Sequence, residues 1–288
     1  MIPTLYEFRQ KERRTVTSKQ ILLINDMAGY GKVALSAMIP VLSHMRHHIY
    51  NLPTALVSNT LDYGKFDILE TTDYMEHTMK IWDELGFSFD AVSTGFIVSE
   101  RQAKLVAEFC RQQSRKGTRI FVDPIMGDEG KLYNGVTEQT ISHMKELVKV
   151  ADYIVPNYTE AACLAGEQYK EDGMTLEEAD CLIEKLLAQG AHSIVVTSAV
   201  VDHKEAVIVY DYQTKERSIR PFTSIPVRFP GTGDIFSSVF MGKLLEGKTL
   251  IESTEKAMDA TKALISMNQN NEDKFKGIPI ESCLEVLD

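Results

Sequence analysis

The stretch Gly231-Thr-Gly-Asp234 joins a glycine-rich turn to a carboxylate at the start of an apolar segment. Pro230 and Gly231 break whatever precedes them, and Ile235, Phe236, Val239, Phe240 and Leu244 recur at helical spacing up to Gly247. The first amides of a helix lack intrahelical acceptors and lie at the positive end of its dipole. Those of Gly231, Thr232 and Gly233 therefore make a natural anion hole. A carboxylate aimed into such a hole would repel a resident anion. Asp234 makes sense if the anion is a phosphoryl group under attack by an alcohol. It would accept the alcohol proton while the amides stabilise the transferring oxygens. The plainer alternative is a first-turn acid beside two turn glycines, and a short glycine motif does not by itself choose between them.

Further carboxylates stand in similar places. Asp123-Pro-Ile-Met-Gly-Asp128 sets two around a Pro-Gly turn, and Asn157-Tyr-Thr-Glu160 adds one on the first turn of a helix. Magnesium takes oxygen ligands, with waters and phosphates completing its shell, so Asp123, Asp128 and Glu160 are candidate ligands, directly or through water. Singly, each reads as well as a turn acid or a dipole-stabilised helix start. All three beside Asp234 do not. Residues 127–135 hold three glycines. They read as a flap that closes over phosphates, or as a passive surface loop.

Asn25-Asp26 follow the apolar run Ile21–Ile24 and read as the carboxyl end of a buried strand, where open α/β sheets bind ligands, or as a simple helix cap. The loop to Lys32 is not a Walker loop, because Asp26 and Val33 occupy the required Gly and Ser/Thr positions. Ala34 is tolerated as the third glycine of a dinucleotide loop, but no strand with an acid follows at the required distance.

Elements must bring these residues together. Short strands are expected at 21–24, 90–95, 119–122, 153–155 and 193–197, alternating with helices near 33, 99–116, 138–150 and 175–189. Such alternation means a mainly parallel sheet with helices on both faces. Residues 206–220 read as an antiparallel edge hairpin, and 250–269 as a last helix. The carboxyl ends of the strands then gather Asn25-Asp26, Thr94-Gly95-Phe96, Asp123-Pro124, Pro156-Asn157 and Thr197-Ser198 beside Gly231 to Asp234. Residues 1–19 are expected to be a polar extension, and 20–288 one domain.

Composition excludes several classes. Hydrophobic residues are 44% and charged residues 25%, ordinary for a globular chain. A net charge of −10 without a basic patch argues against nucleic acid. No apolar run approaches the ~20 residues of a membrane span. The four scattered cysteines and the lack of an apolar leader predict a reduced, cytoplasmic protein.

These segments resemble the ribokinase-like superfamily and, within it, the vitamin B6 (pyridoxal, pyridoxamine) kinases, over about residues 20–270. Gly231 to Asp234 is similar to the superfamily's anion hole and catalytic base. Asp123-Pro124 with Gly127-Asp128, and the Thr94-Gly95-Phe96 turn, point to the B6 group. The resemblance implies a three-layer α/β/α sandwich, ATP and Mg2+ as cofactors, and a homodimer. It implies nucleotide contacts at Asp123, Asn157, Glu160, Thr197, Ser198, Ile225 and Val227. It implies substrate contacts at Asp26, Thr60 and Phe96. The chain departs from the pattern where many relatives have Ser at position 26, a Ser-Asn-His-Thr-Gly-Tyr segment at 58–63, and Thr at Val155 beside a monovalent cation. The expected activity is phosphorylation of the 5'-hydroxymethyl group of a B6 vitamer. A hydroxymethylpyrimidine kinase and a non-catalytic B6-binding protein are the alternatives.

Overall fold

The architecture is that of a computed structural model, which describes residues 18–133 and 136–288. The expected extension lies outside the described residues apart from Ser18 and Lys19, as do two residues of the expected flap, 134 and 135.

Strand β1, Gln20–Tyr30, shows why the sheet is central. Ile21 and Leu23 face one hydrophobic cluster, Leu22 and Ile24 the other, and all four are fully buried. A strand buried on both faces belongs inside a covered parallel sheet. β1 pairs in parallel with β2 (His48–Asn59) and β4 (Ala91–Thr94). The parallel ladder continues through β5 (Arg119–Val122), β8 (Tyr153–Ile154) and β9 (Ser193–Val201). Antiparallel strands close both edges: β3 (Ile68–Glu70) beside β2, and β10 (Lys204–Tyr210) with β11 (Arg217–Pro221) beside β9. A separate hairpin, β6 (Gly127–Asp128) with β7 (Lys131–Leu132), occupies most of the expected flap.

Five helices cover one face: α2 (Thr72–Glu84), α3 (Glu100–Arg115), α4 (Glu138–Val148), α5 (Tyr158–Ala165) and α6 (Leu176–Ala188). Chain order inserts α1 (Leu35–His44) before them, and it packs on the opposite face with α7 (Thr232–Leu245) and α8 (Leu250–Asn268). This is the expected α/β/α sandwich. Helix α7 is apolar on every side and buried, as befits an inner helix.

Two features differ from the sequence reading. β1 does not end at Asn25-Asp26 but runs on to Tyr30, and its register with β2 slips between Asn25 and Met27. The slip follows Asn25↔Pro53, where β2 has no N–H to give to the ladder. Sequence reasoning also passed over β2, β3 and α2, because Pro53 interrupts the alternation of β2 and β3 has only three residues.

Candidate active site

The parallel register carries the chain past the strand ends in step. Backbone bonds run from Gly95 N–H to the Ile24 carbonyl (2.9 Å), Asp123 N–H to Thr94 (2.9 Å), Val155 N–H to Val122 (3.0 Å) and Thr197 N–H to Pro156 (2.9 Å). The expected polar residues therefore do collect along one edge, and α7 starts against it.

Gly231 caps α7 with φ +85°, and a Cβ there would lie 2.2 Å from the Lys32 carbonyl oxygen. Only glycine permits both the turn and this close approach of the 31–34 loop. The approach places the Ala34 N–H 2.8 Å from Asp234 Oδ2, with Ala34 itself at φ +47°. Asn25, 2% exposed, aims its Nδ2 at Asp234 Oδ1 (3.4 Å), while its Oδ1 accepts from the N–H groups of Phe96 (2.8 Å) and Asp26 (3.0 Å). Gly95 is glycine for the same reason, since a Cβ would lie 2.4 Å from the Asn25 amide. Burial pushes the Asp234 carboxyl up to about 6, against the pull of the Ala34 N–H and Asn25. A base near neutrality is what proton acceptance at physiological pH needs.

A cavity of about 210 Å3 opens beside this base. Asp123, Asp128, Asn157, Glu160, Thr197, Ser198 and the residues from Arg228 to Asp234 line it. Asp123 Oδ2 accepts from the Ser237 hydroxyl (2.9 Å), one helical turn beyond Asp234 on the same helix. Burial and the neighbouring carboxylates push Asp123 and Glu160 up. Burial likewise raises Asp128. Asp26 rises to about 7, by burial first and then the charge of Asp234. Such a set of carboxylates, uncomfortable without a cation, is suited to receiving one.

Glu160, expected to serve a metal directly or through water, also holds two backbone amides. Its Oε1 accepts from the Met126 N–H (3.0 Å) and its Oε2 from Asn157 N–H (2.8 Å), completing the capping box of α5. Asn157 in turn donates to the Gly127 carbonyl (2.7 Å). Glu160 thus ties the Asp123–Asp128 turn to α5, and only its remaining lone pairs face the cavity. Among the described residues no three His, Cys, Asp or Glu side chains form a ready-made metal cage. That suits magnesium, which keeps waters and phosphate oxygens in its shell and needs only one or two protein carboxylates.

The remaining expected residues are more dispersed. Thr60 is buried and donates its hydroxyl to the Phe275 carbonyl (2.6 Å), so that donor is committed within the protein. Ile225 and Val227, bridged by a 2.6 Å backbone bond across Pro226, are half-buried beyond the cavity wall. Phe96 and Asp26 reach the base through Asn25 rather than through the cavity itself. A larger cavity, about 630 Å3, lies between Tyr30–Lys32 and residues 271–281, and Asp234 is not among its lining residues. Sequence reasoning missed Ser237, although its three-residue spacing from Asp234 places both on one helix face. It also gave no role to Arg228.

A mainly parallel sheet in an α/β/α sandwich, with free helix-start amides and a half-buried carboxylate gathered at its edge, is the architecture of a phosphotransferase of the ribokinase-like class. The sequence profile of the phosphomethylpyrimidine kinase family matches residues 35–278, and the chain belongs to that family. A candidate phosphomethylpyrimidine kinase of Bacteroides thetaiotaomicron, crystallised with pyridoxal, superimposes with a TM-score of 0.89 at 34% identity, over 94% of this chain and 96% of that one. The pyridoxal kinase of Lactobacillus plantarum superimposes with a TM-score of 0.83 at 25% identity, over 94% and 97%. Pyridoxal kinase PdxY of Paraburkholderia xenovorans is 26% identical over 266 residues, 86% of this chain and 88% of the relative.

Proposed function

We propose that this chain is an ATP-dependent kinase that phosphorylates the 5'-hydroxymethyl group of pyridoxal, pyridoxine or pyridoxamine, forming pyridoxal 5'-phosphate or its analogues. The observation that carries this reading is Asp234. It is a half-buried carboxylate with a near-neutral pKa, held by the Ala34 amide and Asn25 at the mouth of the proposed α7 anion hole. The 34% identical neighbour with bound pyridoxal supports the choice of acceptor. The hydroxyl oxygen attacks the γ-phosphorus as its proton passes to Asp234. The bond from the γ-phosphorus to the bridging oxygen breaks, and its electron pair leaves on the β-phosphate. The amides of Gly231, Thr232 and Gly233 hold the transferring oxygens. Asn157, Thr197, Ser198, Ile225 and Val227 take the nucleotide side, and Asp26, Phe96 and Thr60 the ring side.

Asp123 would hold Mg2+ with phosphate oxygens, Asp128 and Glu160 acting through water. The ion, when bound, offsets phosphate charge. Exposed Leu56, Leu69 and Tyr74 at the β2–β3 edge and on α2 support a homodimer there, which light scattering reads directly: a monomer at assay concentration rules it out. No helix among the described residues is long and apolar enough to cross a membrane, and the four cysteines are free. Both support a cytoplasmic site of action, which fractionation with a disulfide-reporting label would test.

Hydroxymethylpyrimidine is the alternative acceptor, a pyrimidine like the one in the family's name. ADP release with Mg-ATP, measured across pyridoxal, pyridoxine, pyridoxamine, hydroxymethylpyrimidine and ribose, decides. Turnover on a B6 vitamer, reduced about a hundredfold to ten-thousandfold by Asp234→Asn, is expected. Turnover on the pyrimidine alone overturns the acceptor, and vitamer binding without ATP use overturns catalysis.

A further inference from the structure

Four carboxylates line the phosphate-facing cavity, at Asp123, Asp128, Glu160 and Asp234, and Arg228 is its one cationic side chain among the described residues. Arg228 stands three residues before the α7 N-cap, on the strand-to-helix loop that delivers the anion hole. Its guanidinium is half-exposed and pairs with Asp62, on the short helical turn Leu61–Tyr63. Its charge also reaches Asp128 and Tyr133 across the cavity. The 60–63 turn carries Thr60, hydrogen-bonded to Phe275, and Tyr63, whose hydroxyl lies 2.7 Å from Asp273 Oδ2. One arginine thus links the phosphate cavity to the loop expected on the acceptor side.

We infer that Arg228 is a catalytic residue: it contacts the transferring phosphoryl group, and Asp62 is the partner that holds it while the site is empty. This rests on the kinase reading above. A planar guanidinium matches two phosphate oxygens at once, which a carboxylate-lined cavity otherwise lacks. As the γ-phosphorus passes from the β-phosphate oxygen to the acceptor oxygen, charge spreads over the three equatorial oxygens. Arg228 lies on the loop that leads to them. Its exchange from Asp62 to phosphate also frees the 60–63 turn from one of its anchors as nucleotide arrives.

The test compares Arg228→Gln, Arg228→Lys and Asp62→Asn with the unaltered protein in kcat, KM for Mg-ATP, thermal midpoint and titrated binding of a non-hydrolysable Mg-ATP analogue. Loss of one such donor is worth about a hundredfold or more in kcat, so Arg228→Gln is expected to fall by that much at an unchanged midpoint. Arg228→Lys recovers part, and added guanidinium recovers part of Arg228→Gln. Asp62→Asn, by removing the competitor, tightens the analogue and lowers KM for Mg-ATP. Equal losses in Arg228→Gln and Asp62→Asn would reduce the pair to a structural tie and overturn the inference, as would normal turnover in Arg228→Gln. Because analogue binding needs no acceptor, a wrong acceptor shows as intact binding with no vitamer turnover in the unaltered protein. Analogue binding unchanged by both Arg228→Gln and Asp62→Asn then still refutes the role of Arg228.

Discussion

Asn25 offers the sharpest test of how the base is set. Its amide donates to Asp234 Oδ1 at 3.4 Å, longer than an ordinary hydrogen bond, and the Ala34 amide holds the other oxygen at 2.8 Å. A hydrogen bond to a charged group is worth about 1.5–3 kcal/mol, and the length of this one argues for the lower end. Since about 1.4 kcal/mol corresponds to one pKa unit, Asn25→Ala should move Asp234 from about 6 to roughly 7. Ionised base at pH 6 in the free protein then falls from about one half to about one tenth, a roughly fivefold loss of kcat/KM. At pH 8 it stays above about nine tenths, and that source of loss disappears. The same substitution deprives the Phe96 N–H of its acceptor, which raises KM for the vitamer at every pH. The discriminating readout is therefore the position of the acid limb of kcat/KM against pH, not its height. An acid limb that stays put in Asn25→Ala would refute the claim that Asn25 tunes the base. A limb that persists unchanged in residual Asp234→Asn activity would assign it to another group.

Ser237→Ala removes the donor to Asp123 Oδ2, and the half-saturating Mg2+ concentration should rise about tenfold while KM for the vitamer holds; an unchanged Mg2+ requirement would detach Asp123 from the metal. The ligand-free protein should lose stability as pH rises from about 4 to about 7. In that window Asp26 and Asp234, at about 7 and about 6 when folded, bind protons that the unfolded chain releases near the ordinary 3.8. The melting midpoint should thus be higher at pH 5 than at pH 8, and Asp26→Asn should flatten the slope; a midpoint that climbs through the window would contradict the raised pKa values of these carboxylates.

Much of this site was legible in the sequence because its parts are local. A glycine turn, a first-turn acid and an apolar helix are consecutive in 231–245, and the strand-end residues follow from alternation alone. The sheet's second antiparallel edge was not legible, since Pro53 hides β2 and β3 spans only Ile68–Glu70. The capping role of Glu160 was hidden for a related reason. Its sequence neighbours mark an acid at a helix start, but whether both oxygens are already taken depends on Met126, 34 residues away. Asn25 could be placed near the ligand edge, yet its grip on Asp234 spans 209 residues and exists only because β1, β4 and α7 meet. Arg228 directly precedes the glycine turn, and only the fold shows that it faces the cavity and Asp62.

The burial of α7 on all sides divides the molecule into parts that are easy and hard to change. The proposed base and anion hole stand at the start of a helix whose Ile235, Phe240 and Val239 are 0–1% exposed, so the helix that carries them is anchored in the core. Amide exchange from Ile235 onward in α7 should accordingly track global unfolding, whereas the 60–63 turn, on the proposed acceptor side, hangs on a few hydrogen bonds such as those of Thr60 and Tyr63. Substitutions that retune which alcohol is accepted therefore have room on that turn. Those that would alter the phosphoryl chemistry must first be reconciled with the packing of the core.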